Sequence, residues 1–379
     1  METVAKPFVL VVDDEPDSLR ADVAAGLGDH AEHEVLHPRE VELVHLERAD
    51  LVLVDSRLDD WNERDAQESI ALKPATGMAL AVVLREHVDR SGKDRLTAFA
   101  LHTAHLDDLR GRLPAASAQH VLARFNNLEW AFPKAGPRRY DQMLTLAVAV
   151  HRLPRKWPDG EEESASHLQS LLGLREDAAW LDRCWREVLE CQAPVHELRD
   201  GGHGLMLVRW LLHQVMPYPC FLSEAHWVAA RLQISHAELQ SVVNGDSPLA
   251  KDLESMQYSG LLAGFLGRRW WRGALEDYVW QAVGARAADA QLLRVALQDR
   301  AGRGFGAIEA SPPVVCLGPD LQPTGQFGSP TTAIRLRPDH WPAFADTAWT
   351  TLETAKAEPA LAAMVDPLDR ERLCDESEE

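Results

Sequence analysis

From residue 8 to residue 152, short runs of consecutive apolar residues alternate with longer stretches whose apolar residues recur every three or four positions. The first run, FVLVV at 8–12, is short and rich in β-branched residues, and it does not alternate. That pattern predicts a strand buried on both faces. Leu19, Val23 and Leu27 then fall on one stripe of a helix. HEVLH predicts a second strand, REVELVHLER a second helix, and ADLVLVD a third strand closing at Asp55. Beyond the polar stretch SRLDDWNERDAQESIALKP come a helix from about 76 to 87, a strand in RLTAFALHTAH, a strand in LEWAFPK and a closing helix in RRYDQMLTLAVAVHRL. This βαβ rhythm predicts an α/β fold over residues 1–152, a doubly wound parallel sheet of five strands.

The texture then changes twice. RLPRKWPDGEEES mixes prolines, a glycine and blocks of opposite charge, so residues 153–166 are expected to be a linker. From 167 to 300 the pattern is almost wholly helical, which predicts a mostly α-helical output domain. From 301 to 357 the chain turns rich in Gly and Pro. There PVVCLG and TAIRLR predict the strands of a small hairpin, and a final helix is expected near 343–355. Residues 358–379 form an acidic tail.

Composition narrows the class. A chain of 379 residues with 46% apolar content can bury more than one core. No window approaches eighteen uncharged apolar residues, so no membrane span is predicted. The five cysteines, Cys184, Cys191, Cys220, Cys316 and Cys374, are odd in number and lack zinc spacing. They suggest reduced thiols and a cytoplasmic location. A net charge of −20 disfavours nucleic acid and anionic membranes as partners over long range. Ten of the twelve tryptophans lie beyond residue 150, and large amphipathic rings favour cores and partner interfaces.

The chemistry gathers at the strand ends. Asp13 and Asp14 follow the first strand, Asp55 the third, Thr103 ends the fourth and Lys134 follows the fifth. In a sheet of order 2-1-3-4-5 those ends line one crevice, where ligands bind. Adjacent carboxylates there suit a hard divalent cation, with Asp13, Asp14 and Asp55 as the metal ligands.

Over roughly residues 5–152 this constellation resembles the receiver domain of two-component response regulators. The resemblance implies Mg²⁺ as cofactor, Asp55 as phospho-acceptor, Thr103 and Lys134 as catalytic and signalling groups, and a histidine kinase or phosphotransfer protein as donor. It also implies a switch on the face made by the fourth helix, fifth strand and fifth helix, through which two copies could pair. Two positions depart from the family pattern. The glycine that closely follows the acceptor is best matched by Gly77, so most of SRLDDWNERDAQESIALKPAT is inserted as a candidate lid. The last strand reads FPKAG, with proline before Lys134 and not after it.

In the second half, HWVAARLQISHAELQSVVNG at 226–245 resembles a helix-turn-helix. Ser235 and Glu238 would form a capping box, and Gln233 stands where glycine is preferred. His236, Glu238, Gln240, Ser241 and Asn244 would face a groove, without a Lys or Arg among them. RRWWR at 268–272 reads as a helix with buried indoles and snorkelling arginines. His196 and His203 lack metal-site spacing, and GRGFG at 302–306 follows a helix and not a strand. The reading is therefore an atypical response regulator, not an enzyme, whose receiver is phosphorylated on Asp55 or kept as a pseudo-receiver binding module. It switches a Trp-rich helical output module that binds a protein target. The alternatives are a DNA-binding transcriptional regulator using 226–245, and an effector enzyme with an unrecognised catalytic domain.

Overall fold

The computed structural model describes residues 6–61, 74, 76–93, 95–111, 113–286 and 289–374. The chain divides into two compact units, interleaved in sequence. Unit 1 takes residues 1–168, 194–213 and 264–266, and unit 2 takes 169–193, 214–263 and 267–379.

Unit 1 is built on a five-stranded parallel sheet of order β2-β1-β3-β4-β5. Its strands are β1 (Phe8–Val12), β2 (Glu32–Leu36), β3 (Leu51–Val54), β4 (Ala98–Thr103) and β5 (Trp130–Pro133). The helices between and after them are α1 (Pro16–Leu27), α2 (Leu43–Arg48), α3 (Gly77–Ser91), α4 (Leu106–Arg110), α5 (Ala115–Phe125) and α6 (Arg139–His151). β1, β3 and β4 are buried at every residue, as continuous apolar runs require of central parallel strands. Leu10, Val12, Val52, Val54, Phe99 and Leu101 pack under Leu46 of α2 and Leu80 and Leu84 of α3. α1 and α6 pack against each other and cover the other face, burying Val23, Leu27, Leu146 and Val150.

Pro133, which cannot donate to a ladder, lies in an edge strand, where that defect is tolerated. That edge is covered by residues far along the chain. The ring of Phe265 meets Trp130 edge-on at 5.0 Å, and Gln142 of α6 donates to the Phe265 carbonyl at 3.0 Å. Arg209 donates to Glu129 at 2.7 Å, and His213 Nε2 stands 3.2 Å from the Leu128 carbonyl. Residues 153–166, expected to be a linker, include a buried Trp157 whose indole donates to Ser164 at 2.7 Å, and a helix starts at Glu161. The charge blocks that suggested a linker lie around a docked apolar side chain.

Unit 2 is helical with a small sheet. A two-residue pair, β6 (Leu222–Ser223) with β7 (Trp270–Trp271), replaces the helix expected for RRWWR. Both indoles are nevertheless buried, Trp271 stacking on Phe221 at 5.6 Å. The C-terminal part forms a four-stranded sheet of order β10-β11-β8-β9, from β8 (Val314–Leu317), β9 (Pro323–Gly328), β10 (Ala333–Leu336) and β11 (Ala348–Thr351). The expected hairpin of PVVCLG with TAIRLR is thus corrected: both segments are strands, but β11 lies between them. The helix expected at 343–355 is corrected too, since strand β11 occupies its centre and the helix begins at Leu352. Trp227 and Ala230, from the helix Ala225–Leu232, share one core with Val315, Leu317, Ile334 and Leu336 of the sheet. Among the described residues no helix is long and apolar enough to cross a membrane.

Candidate functional site

Each strand of unit 1 hands its next residue to the C-terminal edge by extending the ladder one step. Asp13 N–H donates to the Leu36 carbonyl at 3.0 Å, Asp55 N–H to Val12 at 3.0 Å, and Lys134 N–H to Thr103 at 2.8 Å. These backbone bonds fix where the side chains emerge. Lys134 Nζ lies 2.7 Å from Oδ2 of Asp13 and 2.7 Å from Oδ2 of Asp55, so the FPK order leaves the ammonium within reach of both acids. Asp14 stands beside them, one oxygen each from Asp13, Asp14 and Asp55 lying within 4.8 Å of one another.

The oxygens differ in what they have left to give. Asp13 Oδ1 accepts the Glu15 N–H at 2.9 Å, and one oxygen of Asp14 accepts the Asp60 N–H at 2.7 Å. Asp55 Oδ1 has one long bond, from Arg57 N–H at 3.4 Å. Asp13 Oδ2 is buried and makes no aligned hydrogen bond, only the ion pair with Lys134. Three carboxylates in a half-buried crevice with an under-coordinated oxygen are the donor set a hard cation such as Mg²⁺ requires, so the residues present fit that metal.

Burial raises the Asp55 carboxyl above the ordinary carboxylate range, against the hydrogen bond and charge of Lys134. For Lys134 burial is also the largest single influence and pulls downwards. The close approach and charges of Asp13 and Asp55 together outweigh it, and the ammonium ends above its usual value. His102, penultimate in β4, is pushed down to about 4 by burial and then by the Lys134 charge, and neither ring nitrogen has a hydrogen-bond partner.

The structure gathers Asp13, Asp14, Asp55 and Lys134, while Thr103 is held differently. Its hydroxyl is fully buried, 2.6 Å from the Ser56 hydroxyl, and accepts the His105 N–H at 3.0 Å. Ser56 escaped the sequence reading, because only the folded sheet brings it to Thr103. Gly77 sits where that reading sought a glycine. Its N–H donates to the Ser56 carbonyl at 3.1 Å, and a Cβ there would fall 1.6 Å from the Asp55 carbonyl oxygen. An antiparallel bridge of Arg57 with Thr76 closes the inserted segment at its base, and the Thr76 hydroxyl caps α3 by accepting from Ala79 N–H at 3.3 Å. The candidate lid itself, residues 62–73, lies outside the described residues.

The helix-turn-helix segment of unit 2 folds as two helices, Ala225–Leu232 and His236–Val243, with Gln233 left-handed at φ +54° in the turn. The Ser235–Glu238 capping box is present. The groove-facing side chains are engaged within unit 2. Arg303 donates to the Ser241 hydroxyl at 2.6 Å, Gly306 N–H to Glu238 at 2.6 Å, and Arg268 to Asn244 at 3.4 Å. His236 stacks on His226 with ring centres 3.9 Å apart. A cavity of about 600 Å³ in unit 2 is walled by Trp180, Asp252, Tyr278 and Arg300, but Asp252 is already clamped by Arg300 and by the Tyr278 hydroxyl at 3.1 Å.

Compared with protein-family models and with curated proteins, the chain matches none.

Proposed function

We propose that this chain is an atypical response regulator, whose unit 1 accepts a phosphoryl group on Asp55 from a phosphohistidine donor protein and whose unit 2 acts on a protein target. The observation that carries the reading is the convergence of Asp13, Asp14, Asp55 and Lys134 at one sheet edge, with one buried carboxylate oxygen under-coordinated. Asp13, Asp14 and Asp55 would hold Mg²⁺, which when bound offsets the charge between a carboxylate and an incoming phosphoryl group.

Lys134 engages Oδ2 of Asp55 and leaves Oδ1 as the nucleophile. In the transfer, Oδ1 attacks phosphorus and the P–N bond of the phosphohistidine breaks. The imidazole nitrogen keeps the electron pair and takes a proton from solvent, and Asp55 becomes an acyl phosphate. The Lys134 ammonium turns from carboxylate to phosphoryl oxygen. The Thr103 hydroxyl gives up its bond to Ser56 to donate to the phosphoryl group, and that exchange is the switch. Residues 209–213 and 264–266, which cover the β5–α6 edge, provide an intramolecular route for the signal along the chain. The engagement of Glu238, Ser241 and Asn244 within unit 2 favours a protein target over a DNA groove.

Acetyl phosphate with Mg²⁺ should add one acid-stable, base-labile phosphoryl mass to the wild type and none to Asp55→Asn, read by intact-mass spectrometry. No addition to the wild type, from acetyl phosphate or from a panel of histidine kinases, would leave a binding module without transfer chemistry. Millimolar Mg²⁺ alone should raise the melting temperature by binding the folded state, and Asp14→Asn should abolish that rise.

A further inference from the structure

Two cysteines from separate stretches of unit 2 meet in its interior. Cys191 follows the last residue of the helix Leu181–Glu190, its N–H donating to the Glu187 carbonyl at 3.1 Å, and Cys220 stands just before β6. Both are free thiols and fully buried, Cys191 1% exposed and Cys220 0%. The Cys220 sulfur lies 3.5 Å from the Val215 carbonyl and also within hydrogen-bonding reach of Cys191 Sγ, so its one proton can turn to either acceptor. The next residue brings a second donor to Cys191 Sγ, the Phe221 N–H. Phe221 is itself held: its carbonyl accepts the Arg272 N–H at 2.8 Å and its ring stacks on Trp271 at 5.6 Å.

The surroundings distinguish the two sulfurs. The Cys220 hydrogen bond brings the Cys191 thiol below its ordinary range, with Phe221 N–H and the Arg272 charge assisting, while burial and Glu187 oppose. Burial first, and then the bond to Cys191 and its charge, push Cys220 well above that range. One sulfur is therefore fitted to be the nucleophile and the other to keep its proton until needed. Arg272 is fixed beside both, 3.4 Å from Glu187 and 3.1 Å from Asp346. Cys184 and Cys316 are buried too, but burial raises each of them, Cys184 to about 12.

We propose that Cys191 and Cys220 are a peroxide-sensitive pair that closes to an intramolecular disulfide. The Cys191 thiolate attacks one oxygen of hydrogen peroxide, the O–O bond breaks and hydroxide leaves, giving a sulfenic acid. The Cys220 sulfur then attacks the sulfenic sulfur. The S–O bond breaks, the Cys220 proton departs with that oxygen as water, and the S–S bond forms. Peroxide is the two-electron oxidant and ends as water. Burial restricts the reaction to an oxidant near the size of water, as hydrogen peroxide is. The new bond ties the end of the helix Leu181–Glu190 to the segment entering β6 and removes the negative charge that faces Arg272. Arg272 shares Asp346 with Arg231 of the helix Ala225–Leu232, so the change reaches the ion pairs of that helix. None of these steps uses the phosphoryl chemistry proposed for unit 1.

The test uses the full chain, reduced, freed of reductant and treated with a small excess of hydrogen peroxide while folded. After alkylation in denaturant, peptide mass spectrometry should find one crosslinked pair, Cys191 with Cys220, and the loss of that pair from the free-thiol count. Cys191→Ser and Cys220→Ser should each abolish the crosslink, and Asp55→Asn should form it as the wild type does. Should the serine variants fail to fold, the wild-type map is decided by comparison with chain oxidised in urea, where pairing among the five cysteines loses its preference for Cys191 with Cys220. No crosslink in the folded chain, the same crosslink formed only in urea, or pairing with Cys184, Cys316 or Cys374 in its place would overturn the proposal.

Discussion

Two regions of this chain present themselves in sequence as recognition elements, and the structure treats them oppositely. In unit 1 the residues at the strand ends converge while keeping capacity in reserve: Asp55 Oδ1 holds one long bond, and Asp13 Oδ2 has an ion pair without an aligned hydrogen bond. In unit 2 the polar face of the helix His236–Val243 is consumed by its own neighbours, with Arg303 and Gly306 closing on Ser241 and Glu238. The difference teaches that residue types at the right spacing nominate a site, and unsatisfied hydrogen-bonding capacity distinguishes one that can take a ligand from one that stabilises a fold.

The largest expected effect tests how tightly the first region is built. Gly77→Ala drives a methyl group into the Asp55 carbonyl and forces strand end and helix apart, so it should cost on the order of 3 kcal/mol or more in urea unfolding. A loss below about 1 kcal/mol would mean that the close approach at Gly77 does not hold Asp55 in place.

A smaller effect separates the regions by pH. His102 and His213 of unit 1 are both held at about 4, in each case chiefly by burial. A base depressed in the folded state contributes stability that is full above its unfolded value near 6.5 and lost as pH falls towards 4. Between pH 7 and 5 each should therefore remove about 2 kcal/mol from the unfolding free energy of unit 1. Asp55 runs the other way: its raised carboxyl contributes fully below the ordinary carboxylate value and loses that contribution as pH rises through its folded value. His102→Leu should flatten the acid limb in proportion, and an unchanged limb would show that the buried imidazole does not control it.

The smallest effect belongs to the second region. Ser235→Ala removes the acceptor of the Glu238 N–H and should cost about 1 kcal/mol of unit 2 stability. Duplex binding should be absent with and without the substitution. Sequence-selective nanomolar binding lost on mutating Gln240 and Asn244 would return DNA recognition to the helix His236–Val243.

The sheet of unit 1 was legible because β1, β3 and β4 are buried on both faces and so carry unbroken apolar runs, a local signal. The crevice was legible because a parallel sheet sends every strand end to one edge, where acids after apolar runs cannot be core. Ser56 was not, since a serine beside an acid has no distinguishing pattern until Thr103 arrives from another strand. β11 was misread because AWTTLETAK continues into a true helix. Its strand character comes from β8 and β10 on either side, partners set by the tertiary fold. β9 was missed because PTGQFG has the glycine and proline of a turn, yet it pairs along one edge of β8.

The interleaving of the units bears on how the chain is made. When synthesis has passed residue 152, β5 is complete, but Phe265, which covers Trp130, Arg209, which pairs with the buried Glu129, and His213, which meets the Leu128 carbonyl, are still to come. At ordinary elongation rates that interval is on the order of ten seconds, long compared with collapse of the sheet. The nascent unit must wait with an apolar strand edge exposed and with Glu129 lacking the closer of its two cations, Arg209, a state suited to capture by a chaperone. A fragment ending at 152 would keep that exposure permanently, so the excised unit should be prone to aggregate at concentrations where the whole chain is not.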